Sequence, residues 1–114
     1  MVTIRKESQK DIDVIHLVNE QAFGQTQEAE IIENLRENCC DLLSLVALQE
    51  DKLVGHILFS PIDIEGNHGI IKGMGLGPMA VIPEYQRQGI GSAMVKEGIK
   101  ILKESCCPFI ICLL

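Results

Sequence analysis

The sequence is poor in aromatic residues and has no apolar run long enough to cross a membrane. Only 4% of its 114 residues are aromatic and none is Trp, so Leu, Ile and Val must fill the one core that a domain of this length can form. No apolar run approaches the ~20 residues of a membrane-spanning helix. The first residues, Met-Val-Thr-Ile-Arg-Lys-Glu, lack the apolar segment of a secretion signal. We therefore expect a single cytoplasmic domain without a membrane partner.

Basic residues and metal-ligand spacings are also scarce. The chain has 10 Lys and Arg against 16 Asp and Glu, a net charge of −6. Because nucleic-acid phosphates select basic patches, this balance argues against a nucleic acid partner and tolerates a cationic amine. The five cysteines show no Cys-x-x-Cys spacing and no histidine pair nearby. We expect no metal site and reduced thiols that behave as small apolar residues.

Apolar periodicity predicts an α+β domain over residues 1–114. It divides the chain into an N-terminal strand with two helices at 1–38, central strands at 42–82, a loop and helix at 83–105, and a last strand at 109–114. Short connections make the central strands antiparallel, and the last helix provides a crossover to the fifth strand. Ser8, with Asp11 three residues later, predicts a helix start, and Pro61 predicts a bulge or an edge position in its strand.

The most informative stretch is residues 76–92. An apolar strand closed by Pro83 leads into Gln86-x-x-Gly89-x-Gly91, where a helix pattern begins near Ile90. The first amides of a helix have no partner inside it, and glycines let a phosphate approach them closely. Arg87 adds a guanidinium suited to phosphate. The pattern predicts a pyrophosphate site, although the two glycines alone are equally compatible with a simple strand-to-helix turn. The dinucleotide and phosphate-loop fingerprints are absent.

The longer string Val81-x-Pro83-x-Tyr85-Gln86-Arg87-Gln88-Gly89-Ile90-Gly91-Ser92 resembles motif A of the GNAT superfamily of N-acetyltransferases, whose signature is Gln/Arg-x-x-Gly-x-Gly/Ala. The preceding residues 76–81 are similar to the family's fourth strand, which splays from the next strand and pairs with the pantetheine arm of acetyl-coenzyme A (acetyl-CoA). Residues 54–61 and 26–36 resemble the third strand and second helix of a bacterial and archaeal branch of predicted acetyltransferases.

The resemblance implies a GNAT-like acyl-CoA N-acyltransferase fold with α/β/α layers, in which helices cover both faces of a mixed, mostly antiparallel sheet. It implies acetyl-CoA as co-substrate, no metal, and a primary amine, on a small molecule or a protein, as acceptor. A main-chain amide near Met79 or Ala80 would polarise the thioester. The implied cofactor-binding residues are Met79, Ala80, Val81, Gln86, Arg87, Gln88, Gly89, Ile90, Gly91 and Ser92.

No catalytic base stands out. Many relatives carry one on the fourth strand, but residues 73–82 contain no carboxylate or histidine. Weak candidates are Glu28, Glu84 and His56, which are more simply a helix-surface residue, a turn residue and a hydrogen-bonded core histidine.

A complete family domain continues beyond the fifth strand with a helix and two strands that this sequence does not contain, so the fold is expected to end after the fifth strand. An exposed apolar strand at 109–114 would favour pairing with a second copy, and we expect a homo-oligomer. The alternative to an N-acetyltransferase is a non-catalytic protein that binds CoA or self-assembles.

Overall fold

The computed structural model describes residues 2–39 and 41–112. Within them the chain forms a five-stranded sheet, three α-helices and two short 3₁₀ turns, at Gln9–Asp11 and Pro83–Tyr85. The strands are β1 (Val2–Lys6), β2 (Leu43–Gln49), β3 (Lys52–Gly66), β4 (Gly69–Val81) and β5 (Ile110–Cys112), and the helices are α1 (Ile12–Phe23), α2 (Gln27–Asn38) and α3 (Ile90–Glu104). The fold is α+β, as predicted.

The strands lie in sequence order, β1-β2-β3-β4-β5. The first four pair antiparallel, whereas β4 and β5 pair parallel. A parallel neighbour requires a crossover, which α3 provides. The mixed, mostly antiparallel sheet predicted from the connection lengths is confirmed.

Helices cover both faces of the sheet. On one face, buried Asn19 of α1 approaches His56 of β3. On the other, Met94 of α3 packs against Gly55, and Phe59 of β3 lies against Gly98 of α3. Phe59 and Met94 are fully buried, so they fix the depth at which α3 sits on the sheet.

The boundaries differ from expectation in small ways. The first helix begins as a 3₁₀ turn, where the Asp11 carboxylate accepts the Ser8 backbone N–H at 2.7 Å. The last strand, predicted at 109–114, spans Ile110–Cys112, and residues 113–114 lie outside the described part. Pro61 has the edge position that was one of its two predicted roles, because β2 ends at Leu43 opposite Phe59 and no other described strand pairs with β3 beyond that point on the same side.

Within the pairing of β3 with β4, the irregularity lies on β4 rather than at Pro61. Ile57 pairs with Met79 but Phe59 pairs with Leu76, so β4 carries one extra residue between these pairs. Such a bulge bends the strand that contains it. In the described residues, β5 pairs only with residues 74–76 of β4. Residues 77–81 therefore continue past the bulge without a described partner on that side.

The close contact between Gly98 and Phe59 makes a stability prediction. A Cβ built at Gly98 falls on the Phe59 ring. Replacing a helix glycine by alanine ordinarily stabilises by about 1 kcal/mol, but overpacking a core costs about 1–3 kcal/mol. We expect Gly98→Ala to lower the urea unfolding midpoint. Phe59→Leu should reduce the cost of Gly98→Ala when the two are combined, and a raised midpoint in Gly98→Ala alone would contradict this packing.

Candidate functional site

A tight turn connects β4 to α3. The Ile82 N–H donates to the Val54 carbonyl at 2.9 Å, which keeps the end of β4 on the sheet. The 3₁₀ turn Pro83–Tyr85 follows, and Tyr85 N–H donates back to Ile82 at 2.9 Å. The Gln86 side chain donates to the Val81 carbonyl at 2.9 Å. These bonds hold the loop against the strand that precedes it.

Two residues in the left-handed region turn the chain into α3. Arg87 has φ of 64° and Gly89, the N-cap of the helix, has φ of 82°. Glycine suits the second position because it adopts positive φ without strain. A Cβ at Gly89 would meet no atom within 4 Å, so the space above it is open. Turns of this kind direct backbone N–H groups into an anion-binding concavity.

That open space is a cavity of about 300 Å³, which we call the α3 cavity. It is lined by Met79, Val81, Tyr85, Gln86, Arg87, Gly89, Ile90, Gly91 and Ser92. Eight of the ten residues predicted to bind the cofactor therefore lie together. The other two are Ala80, which is buried, and Gln88, whose side chain donates to the Glu84 carbonyl at 3.4 Å. Tyr85 lines the cavity although the resemblance did not assign it.

The electrostatics of the α3 cavity favour an anion. The first turn of α3 has no acidic residue that would offset the positive end of the helix dipole. Arg87 adds a full positive charge at the rim. A wider groove of about 830 Å³ lies where α3 ends, near Leu102 and Cys106. The helix dipole is negative there, so the wider groove is the poorer site for a phosphate.

Comparison with known proteins agrees with this geometry. The family model described as "Acetyltransferase (GNAT) family" matches residues 12–113. The chain belongs to the GNAT family.

Two curated relatives from Escherichia coli K12 carry similar GNAT sequences. The uncharacterized N-acetyltransferase YjhQ is 37% identical over 105 residues, which cover 90% of this chain and 58% of the relative. The uncharacterized N-acetyltransferase YhbS is 32% identical over 102 residues, which cover 89% of this chain and 60% of YhbS. The chain thus spans about three fifths of the length of these relatives.

Two solved structures are similar to this GNAT domain over nearly all of its length. A GNAT family acetyltransferase from Brucella melitensis, in complex with acetyl-CoA, superposes with a TM-score of 0.87 at 34% identity and covers 100% of this chain and 76% of the other. Escherichia coli YhbS, in complex with CoA, gives a TM-score of 0.89 at 30% identity, covering 98% and 62%. The GNAT fold predicted from the sequence is confirmed.

Two features are absent from the residues that the structure describes. None of the helices among them is long and apolar enough to cross a membrane. Over the same residues, 2–39 and 41–112, no three His, Cys, Asp or Glu side chains are grouped as a metal site would need.

The structure does not bring the three weak catalytic candidates together. Glu28, in the first turn of α2, accepts the Gln25 side-chain amide at 3.1 Å. Glu84 is exposed and lines a different groove, with Lys52 and Leu17. His56 is 0% exposed. None of the three lines the α3 cavity, and no base for this GNAT domain is assigned.

His56 belongs to a buried polar chain that sequence reasoning did not find. Asn19 Nδ2 donates to His56 Nδ1 at 3.3 Å, so the ring proton is assigned to Nε2, which donates to Ser44 Oγ at 2.8 Å. Ser44 donates to the Glu7 carboxylate, which also accepts Arg36 Nη2 at 2.8 Å. This series of hydrogen-bonded side chains links α1, α2, β2 and β3. Its partners are far apart in sequence, so no local pattern identified them.

Burial and hydrogen bonding determine which side chains of this buried hydrogen-bonded series are charged. Desolvation lowers the pKa of His56 to about 4, and the nearby Glu7 charge only partly offsets it. Burial also pushes the pKa of Glu7 upward, but bonds from Arg36 and Ser44 outweigh that effect and lower it overall. At neutral pH, His56 is therefore a neutral core residue and Glu7 a carboxylate.

This charge state predicts acid destabilisation. In the unfolded chain His56 takes up a proton near pH 6.5, whereas in the folded chain it resists until about pH 4. The unfolded state binds more protons in that window, so the free energy of unfolding is greatest above pH 6.5 and falls as pH drops towards 4. Between pH 7 and 5 we expect a loss of about 2 kcal/mol, measured by urea unfolding.

Two histidine variants test the source of the effect. His56→Gln should be less stable at pH 7 but should show a shallower pH slope, because its buried titration is gone. His68→Gln, at an exposed turn, should keep the original slope. An unchanged slope in His56→Gln would show that another group is responsible.

Proposed function

We propose that this chain binds acetyl-CoA at the α3 cavity and transfers its acetyl group to a primary amine. The observation that carries the proposal is the convergence of unpaired helix amides, Arg87 and open space at the start of α3. A pyrophosphate needs such amides and a positive rim. The acetyl-CoA and CoA complexes of two similar GNAT structures support the same ligand.

We propose that the pantetheine arm binds along the edge of β4. Residues 77–81 run from the bulge to the α3 cavity, and β5 pairs only with residues 74–76 in the described part. An amide-bearing arm laid along this edge can exchange hydrogen bonds with the strand backbone, as an added strand does. Phosphates held at Gly89 and Gly91 would then place the thioester near Met79 and the bulge.

The chain's chemical contribution is to position the reactants and to stabilise developing charge. A backbone N–H of Met79 or Ala80 would donate to the carbonyl oxygen as negative charge develops on it. Holding a neutral amine against the thioester lowers the entropic cost of their encounter. The amine nitrogen bonds to the carbonyl carbon to give a tetrahedral intermediate, and the carbon–sulfur bond then breaks as the carbonyl re-forms. The nitrogen loses one proton and the sulfur gains one, so CoA leaves as the thiol. The acceptor is a small-molecule or protein primary amine.

A charge placed in the α3 cavity tests the binding site. Ser92 is an exposed residue of the first turn of α3 and lines the cavity. In Ser92→Glu the new carboxylate should repel the pyrophosphate and raise the CoA dissociation constant at least about tenfold. The same carboxylate complements the helix dipole, so thermal stability should not fall. Calorimetric titration and thermal melting measure the two effects.

Gln27→Glu is the matched control, because it adds the same charge to the first turn of α2, outside the cavity. It should leave CoA binding unchanged. Equal affinities for wild type and Ser92→Glu would place the ligand elsewhere. Thiol release from acetyl-CoA with a panel of amines then distinguishes an acetyltransferase from a protein that only binds CoA.

Self-association through the last strand remains a prediction. In the described residues β5 pairs with β4 on one side, and Ile111 is 39% exposed. An exposed apolar edge favours pairing with a second copy. We expect size-exclusion chromatography with light scattering to give a dimer or larger species at micromolar concentration. Ile111→Lys should shift the equilibrium to monomer, and a monomeric wild type at all concentrations would exclude the interface.

A further inference from the structure

The hairpin that joins β2 to β3 ends beside the wall of the α3 cavity. The first residue of β3, Lys52, places its Nζ atom 5.6 Å from the centre of the Tyr85 ring. An ammonium within about 6 Å of a ring centroid is attracted by the negative face of the aromatic ring. Tyr85 is half-buried and lines the α3 cavity, whereas Lys52 lies outside it. Lys52 can therefore affect the cavity through Tyr85.

The hairpin turn fixes the backbone position of Lys52. Gln49 pairs with Lys52, leaving a two-residue turn in which Glu50 has φ of 51° and Asp51 has φ of 68°. Both values lie in the left-handed region, where two-residue hairpin turns ordinarily use Asn-Gly. Residues with a β-carbon adopt this conformation at a cost, and strained residues of this kind are concentrated near functional sites.

The same hairpin is tied to the loop by its backbone. Ala47 pairs with Gly55 and Leu48 pairs with Leu53, so Val54 is the extra residue of a bulge in β3. Its carbonyl accepts the Ile82 N–H at 2.9 Å, immediately before the 3₁₀ turn that ends at Tyr85. One backbone bond and one cation–π contact thus join the hairpin to both ends of that turn.

We propose that Lys52 is a positioning residue for the cofactor loop: it holds the Tyr85 ring at the wall of the α3 cavity. The inference rests on the proposed function, because it assigns a role in binding the phosphate-bearing arm of CoA. A wall that is already ordered spares the ligand the entropic cost of ordering it. Lys52 acts on the ligand through Tyr85 and makes no contact with it.

Tyrosine fluorescence tests the contact without any ligand. Tyr85 is the only tyrosine and the chain has no tryptophan, so the intrinsic emission reports this ring alone. Acrylamide quenching should rise in Lys52→Met and return towards the wild-type value in Lys52→Arg. Lys100→Met removes the same charge from an exposed position on α3 and should not change the quenching. Equal quenching in wild type and Lys52→Met would overturn the inference.

CoA titration tests whether the contact between Lys52 and Tyr85 affects the affinity for CoA. Lys52→Met should raise the dissociation constant about two- to fivefold, the range expected for an exposed cation–π contact. Lys52→Arg should restore most of the affinity, and Lys100→Met should match wild type. In a Tyr85→Leu background, Lys52→Met should have no further effect.

Two outcomes of the titration would overturn the positioning role. One is an equal loss in Lys52→Met and Lys100→Met, which would indicate a general charge effect. The other is a loss that persists in the Tyr85→Leu background, which would indicate direct contact with the ligand. If wild type binds no CoA, the proposed function fails, and the quenching measurement still decides whether Lys52 orders Tyr85.

Discussion

The unpaired amides at the start of α3 are the constraint on which the rest of the site depends. They attract an anion only if the helix begins over open space and in a fixed orientation. Phe59 against Gly98 and Met94 against Gly55 set how closely α3 lies on the sheet. The core therefore determines where the helix presents its amides.

The two faces of the sheet are stabilised by different interactions. The α3 face is apolar, with Leu45, Ile57 and Phe59 fully buried. The opposite face contains the polar chain from Asn19 through His56 and Ser44 to Glu7 and Arg36. Each link satisfies a group whose burial would otherwise be costly. Asn19 Oδ1 is the exception, a buried acceptor that has no hydrogen-bond partner among residues 2–39 and 41–112.

Features that depend on residues close together in the sequence were predicted, whereas features that depend on residues far apart in the sequence were not. The loop and α3 followed from local chemistry, because Gly89 and Gly91 at fixed spacing before an apolar helix face define both the turn and the helix start. The antiparallel pairing of β2, β3 and β4 followed from the short connections between them. Pro61 was predicted to mark a bulge or an edge position, and it lies at an edge. The bulge on β4 was not predicted, because the register between two paired strands decides where it lies. The His56 chain was missed because Asn19 is 37 residues away in sequence.

The burial of His56 makes this residue unsuitable as a general base. A general base must reach the proton it removes and titrate near the working pH, and His56 does neither, since it is fully enclosed with a pKa near 4. Glu28 and Glu84 lie outside the α3 cavity. In the proposed function, the amides, the guanidinium and the aromatic wall of the α3 cavity would hold acetyl-CoA, which is one of the two reactants. In the same proposal, the group that deprotonates the amine would lie on the acceptor side of the thioester, away from the α3 cavity, or would act through water. The pH dependence of turnover would then follow the acceptor side rather than the α3 cavity.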